Sequence, residues 1–110
     1  MEDKKPLILI TNDDSINAKG LRHLVDCVKD MGEIYVVAPA LPHSGQSSAF
    51  TVNTPLQVTE HPDYNGARMM SVNGTPVDCV KLSMHHILPR RPDLVLAGIN
   101  PGSNAGNSII

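Results

Sequence analysis

The chain has no Trp, one Phe and two Tyr, so aromatic residues make up only 3% of its 110 positions. That scarcity leaves neither a base-stacking platform for nucleic acid nor the aromatic belt of a membrane interface. Charge of one sign is also missing: nine Lys and Arg stand against eleven Asp and Glu, a formal net charge of −2. There is no basic footprint for DNA or RNA, so nucleic acid is not expected as a partner. No apolar run approaches the roughly twenty residues of a membrane span, so no membrane partner is expected either. Met1-Glu2-Asp3-Lys4-Lys5 leads straight into an apolar run and leaves no room for a signal peptide's apolar core and cleavage site, which points to the cytoplasm. Cysteine is scarce, and Cys27 and Cys79 each lie within an apolar helical pattern, where a free Cys behaves as a small buried hydrophobe. Of the five His, no two are spaced i, i+4, the pair that zinc hydrolases use, and they read as polar residues that end helices.

What is present begins with Leu7-Ile8-Leu9-Ile10, four aliphatic residues without polar alternation, the pattern of a strand buried on both faces of a parallel sheet. It ends in Thr11-Asn12-Asp13-Asp14. Ligands of open α/β sheets sit beyond the carboxyl ends of the strands, where this acidic pair falls. Two adjacent carboxylates with no Lys or Arg between them repel one another unless a cation or a ring of N–H groups compensates. A hard metal ion is one explanation. A turn whose Asx side chains merely cap the next helix is the other, and the residues alone leave both open.

After the polar loop Ser15–Gly20, Leu21, Leu24, Val25 and Val28 recur at helical spacing, and Gly32 is placed to close that helix as a C-terminal cap. Ile34–Ala38 is a second β-rich run ended by Pro39. Strand, helix and strand at this spacing form a βαβ unit with parallel strands and a right-handed crossover. Residues 39–48 read as a loop facing the same side as Asp13 and Asp14. Short runs at 49–52, 56–59 and 69–72, bracketing Pro55 and Asn65-Gly66, predict an extended or hairpin-like excursion. Thr75-Pro76-Val77-Asp78 is a helix start, with Thr75 as N-cap and Pro76 in the first helical position. Capping explains Thr75 and Asp78 without chemistry. Val77, Val80, Met84, Ile87 and Leu88 trace the expected apolar face, Pro89 stops the helix, and Arg90-Arg91-Pro92 reads as a solvated turn.

Residues 93–100 repeat the opening theme, a buried apolar strand ending in a polar side chain, here Asn100. The small residues of Pro101–Ser108 let backbone N–H groups converge on an anion, although they match neither the P-loop nor the dinucleotide fingerprint. A phosphate loop normally opens into a helix that covers the sheet, so the natural protein is expected to continue past Ile110. The length allows a single α/β domain over residues 1–110, small for a complete doubly wound sheet.

Thr11-Asn12-Asp13-Asp14, Val37-Ala38-Pro39 with His43-Ser44-Gly45, Gly74–Val80, and Pro92–Val95 leading to Gly98–Asn104 together resemble the SurE family. Four blocks in the right order span nearly the whole chain. That family, the stationary-phase survival proteins, comprises metal-dependent phosphatases of nucleoside monophosphates. The resemblance implies a Rossmann-like three-layer αβα fold with a mainly parallel sheet. It implies that Asp13, Asp14, Ser44 and Asn100 ligate one divalent cation. All four are oxygen donors, which suits Mg²⁺, Mn²⁺ or Ca²⁺ and not the N and S preference of zinc. Asn104 is implied to hold the phosphate and, with Asp13 and Asp14, to form the catalytic set. Gly45, Ser103 and Asn12 join Asn104 as phosphate-side residues, while Asn12 also reads as a brace for the acidic pair. Where the family commonly has Gly after that pair, this chain has Ser15, and its usual Asp after Ala-Pro is Ala40. The family's further C-terminal region, absent here, implies a homo-oligomer, dimer or tetramer, for the full-length protein.

The leading expectation is therefore a phosphomonoester hydrolase acting on nucleoside 5′- or 3′-monophosphates. A nucleotide- or phosphate-binding module without turnover, and an inactive βαβ fragment, are the alternatives. The acidic pair separates the first two, because an anion site gains nothing from two carboxylates unless a metal bridges them.

Overall fold

The computed structural model describes residues 5–42 and 55–98. The elements run β1 (Leu7–Thr11), α1 (Lys19–Val28), β2 (Glu33–Pro39), β3 (Val58–Tyr64), β4 (Ala67–Val72), α2 (Pro76–Leu82) and β5 (Leu94–Ala97). The five strands form one sheet in the order β3-β4-β2-β1-β5, parallel throughout except for β3 against β4.

β1 is buried at every position, as its unbroken aliphatic run predicts. Its even and odd residues serve opposite faces, the period of two that a strand imposes. Ile8 and Ile10 join Ile34, Val36 and Met69 under Leu21, Val25 and Val28 of α1. Leu7 and Leu9 join Tyr35, Val37, Met70 and Val72 under Cys79 of α2. Each fully buried aliphatic side chain contributes about 1.5–3 kcal/mol relative to exposure, so these two layers carry the fold. The result is the expected three-layer αβα sandwich around a mainly parallel sheet. The chain steps from β1 to β2 in one direction with α1 on one face, then from β4 to β5 in the other direction with α2 on the opposite face. Reversing both direction and face keeps one hand for the two crossovers, as a common right-handed rule requires.

Gly32 does not cap α1. The helix ends at Val28 with Lys29 in right-handed geometry, and Gly32 instead lies so close to Pro6 that an added Cβ would stand 2.2 Å from its carbonyl oxygen. Cys27, expected to be buried, is exposed on α1, while Cys79 is buried. The 56–72 region is indeed a hairpin, turning at Asn65 (φ 49°) and Gly66 (φ 89°), the pair of positive φ values of a type I′ turn. Only β3 is an excursion, however: β4 enters the sheet as a parallel neighbour of β2, with Val36 opposite Met69 and Pro39 opposite Val72. The hairpin tip is fastened to α1, the Tyr64 hydroxyl donating to Asp26 at 3.0 Å and the Asn65 amide at 2.6 Å. His61 sits within β3, not at a helix end, and its Nε2 lies 2.8 Å from the Ser71 hydroxyl.

The start of α2 is as predicted. Thr75 Oγ1 accepts from the Asp78 N–H at 3.1 Å and Asp78 Oδ2 accepts from the Thr75 N–H at 2.9 Å, a reciprocal capping box. The expected apolar face is only partly right. Val77 is 62% exposed and Met84 is exposed too, because the sheet takes Cys79, Leu82 and Ser83 instead. Ser83–Ile87 then widens into a π-helical turn, whose extra residue per turn brings Ile87 and Leu88 back onto the core.

The connector before β5 is more than a solvated turn. Arg90 donates to the Lys5 carbonyl at 2.8 Å and to Asp93 at 3.0 Å, and Asp93 accepts from the Leu7 N–H at 2.8 Å. β5 itself is half-buried at Leu94, Val95 and Leu96 and exposed at Ala97, less covered than the buried strand expected. The Leu7 N–H and then the Arg90 guanidinium hold the Asp93 carboxyl below its ordinary pKa of 3.8. A carboxyl whose pKa is depressed by folding adds stability at neutral pH and loses it as pH falls from its unfolded pKa through its folded one. Asp93→Asn is therefore expected to flatten the pH dependence of urea unfolding below about pH 4. An unchanged acid limb counts against the Asp93 contacts.

The two thiols should differ sharply in reactivity. Burial, followed by the charge of Asp78, pushes the Cys79 thiol up to about 12, with the Thr11 hydroxyl opposing. At pH 8 a thiol reagent is expected to label Cys27 alone in the native chain and both Cys in denaturant, counted by mass spectrometry.

Candidate metal and phosphate site

The order of the strands reverses beside β1: β2 and β4 lie on one side, and β5 returns to the other. In open α/β sheets such a switch point opens a crevice at the carboxyl ends of the strands. Asp13 and Asp14 stand there, separated from Thr11 at the end of β1 by Asn12 alone. The chain leaves β2 at Pro39 and β5 at Ala97, the two strands that flank β1. Backbone hydrogen bonds tie these ends together, from Ile16 N–H to the Pro39 carbonyl at 2.8 Å and from Gly98 N–H to the Thr11 carbonyl at 3.1 Å. Ser44 follows β2 in sequence and Asn100 follows β5, the two strands that flank β1. Ser44, Gly45, Asn100, Ser103 and Asn104 themselves lie outside the described residues.

The acidic pair projects from a turn anchored at both ends. Asn12, 3% exposed, donates its amide to the Ser15 carbonyl at 3.0 Å and accepts from the Ser15 N–H at 3.2 Å. Ile16 is buried in the core beneath α1, and the Arg22 guanidinium donates to its carbonyl at 3.0 Å. Asp13 is exposed and Asp14 half-buried. Among the described residues the one ion pair is Arg90–Asp93, and no Lys or Arg of those residues pairs with either carboxylate. Both ends of the Asn12 amide meet Ser15, the contacts that a brace for the turn would make.

Two features here were not read from the sequence. Ser15 has φ 112°, a backbone conformation that L side chains rarely adopt. Thr11 ends β1 with a buried hydroxyl that has no nitrogen or oxygen partner and whose neighbour is the Cys79 thiol. A position where the sequence departs from glycine pointed to the first; nothing in the pattern signalled the second.

The donor chemistry at the turn fits a hard cation: two adjacent carboxylates with which no Lys or Arg among the described residues pairs. Among the described residues no three His, Cys, Asp or Glu gather as a metal site, so these two carboxylates would leave the rest of a shell to water or to further donors.

The family model of the Survival protein SurE matches residues 8–110 of the chain. The chain belongs to the SurE family. Among SurE relatives, a protein of Protochlamydia amoebophila named 5′-nucleotidase SurE is 49% identical over 107 residues, covering 96% of this chain and 41% of its own length. One of the same name from Chlorobium phaeobacteroides is also 49% identical, covering 97% of this chain and 42% of its own. The crystal structure of the SurE protein from Aquifex aeolicus superposes with a TM-score of 0.75 at 39% identity, over 92% of this chain and 40% of that one. This SurE chain thus spans about two fifths of the length of the relatives it matches.

Proposed function

We propose that this chain carries the metal-binding part of a divalent-metal-dependent phosphomonoester hydrolase, a 5′-nucleotidase that releases phosphate from nucleoside 5′- or 3′-monophosphates. The observation that carries the reading is the Asp13-Asp14 pair at the strand-order switch, with which no Lys or Arg among the described residues pairs, in a chain 49% identical to a protein named 5′-nucleotidase SurE. Asp13 and Asp14, with Ser44 and Asn100 from the loops after β2 and β5, form an oxygen-only ligand set for one Mg²⁺, Mn²⁺ or Ca²⁺.

A cation held there supplies positive charge against the phosphoryl oxygens and lowers the pKa of an attacking water. The residues do the rest. Asp13 and Asp14 bring the negative charge that retains the ion, and Asn12 fixes the turn that carries them. The Asn104 amide, with N–H groups around Ser103 and Gly45, stabilises charge as it develops on the phosphoryl group. A module that only binds phosphate is disfavoured by the same pair, since two carboxylates beside an anion raise the energy of the complex.

The protein acts as a homo-oligomer, dimer or tetramer, in the cytoplasm. Among the described residues no helix is long and apolar enough to cross a membrane. The test is phosphate release from nucleoside monophosphates by the whole protein. It is expected with Mn²⁺ or Mg²⁺ and lost in EDTA; turnover undiminished by EDTA overturns the metal-dependent reading.

A further inference from the structure

Between two anchored residues, Asn12 and Ser15, stand only Asp13 and Asp14. Asn12 is buried, and its single amide bridges both the N–H and the carbonyl of Ser15, at 3.2 and 3.0 Å. One side chain thereby fixes the two peptide planes that flank the Ser15 Cα. That residue, 6% exposed, holds φ 112°. Its own side chain does not demand this conformation, since Ser15 Oγ only accepts the Asn17 N–H at 3.3 Å. Downstream the chain cannot yield: Ile16 is seated in the core and its N–H bonds the Pro39 carbonyl at 2.8 Å. If Ser15 relaxed to negative φ, the rotation would fall on the upstream side, on the Asp14–Ser15 peptide, and the two carboxylates would swing apart.

We infer that Asn12 is a positioning residue: it holds Ser15 in its left-handed conformation and so keeps the Asp13 and Asp14 carboxylates convergent on a single cation. This rests on the metal-site reading above. Its role is indirect, exercised through the Ser15 backbone that its amide grips. It makes a specific demand on glycine, which populates positive φ about as readily as negative. With glycine at position 15 the turn keeps its shape without a clamp.

The test is a mutant cycle on the whole protein read by Mn²⁺ binding, with free Mn²⁺ measured by electron paramagnetic resonance on folded samples. Asn12→Ala is expected to weaken Mn²⁺ binding about tenfold or more in the wild-type background, but by less than about threefold in the Ser15→Gly background. Should Asn12→Ala fail to fold, Asn12→Ser, too short to reach both Ser15 atoms, goes through the same cycle. Equal losses in the two backgrounds, or no loss in either, overturn the inference. Asp13→Asn serves as the reference: if it too leaves Mn²⁺ binding intact, the metal-site reading has failed and this inference fails with it. If Asp13→Asn abolishes binding while the cycle is additive, the positioning role alone is wrong.

Discussion

Asp13→Asn and Asp14→Asn are each expected to lower metal-dependent phosphate release on the order of a hundredfold or more, without unfolding the protein. Each substitution removes one of the two negative charges available to a cation at this turn, and a neutral amide oxygen replaces it poorly for a hard ion. The fold has no such need. Asp13 is exposed and Asp14 half-buried, and among the described residues neither takes part in the hydrogen bonds that hold the turn, which belong to Asn12, Ser15 and Ile16. Removing one of two neighbouring like charges also relieves repulsion. The melting temperature measured in EDTA should therefore stay level or rise, while the stabilisation that Mn²⁺ gives the wild type through mass action should shrink. Near wild-type turnover in both variants would remove Asp13 and Asp14 from the site.

The opposed effects on activity and stability follow from how this part of the molecule is built, and explain which parts were legible in the sequence. β1 and β2 could be read because a strand buried on both faces writes an unbroken aliphatic run, and the start of α2 could be placed to the residue because Thr75-Pro76-Val77-Asp78 carries its cap locally. β4 could not. Its partner is β2, some thirty residues upstream and joined by hydrogen bonds between backbones, so Ala67–Val72 reads the same whether it lies in a hairpin or in the middle of a sheet. The helix faces were blurred for a related reason. Hydrophobic periodicity selected Val77 and Met84, but the sheet accepted the stripe through Cys79 and Ser83, and the π turn then shifted the phase.

In the candidate site, Asp13 and Asp14 were legible because a strand that stops in acid is unusual chemistry at an informative place. The clamp between Asn12 and Ser15 was only half visible. An Asn before an acidic pair reads equally as a phosphate donor or a brace, and which atoms its amide meets is decided by a backbone angle that no spacing rule encodes. Ser44 and Asn100 owe their assignment to the resemblance alone.

Gly32→Ala is expected to cost about 1–3 kcal/mol of stability, with activity per folded molecule unchanged. A Cβ at this position would lie 2.2 Å from the Pro6 carbonyl oxygen and 3.1 Å from its carbon, both backbone atoms that no rotamer change can move aside. The same carbonyl accepts the Glu33 N–H at 2.8 Å, the bond with which β1 and β2 begin to pair. Relief of the clash must stretch that bond or displace the start of the strand pair, and Leu7 opposite Glu33 opens a register that continues to Ile10 opposite Val36. The damage is nonetheless at the wrong end of the sheet to reach the chemistry. Gly32 lies at the amino ends of β1 and β2, whereas Asp13 and Asp14 follow the carboxyl end of β1. A lower urea midpoint with unaltered kcat and metal affinity is the expected result. If Gly32→Ala unfolds no earlier than wild type, the close approach to Pro6 is not what places glycine there.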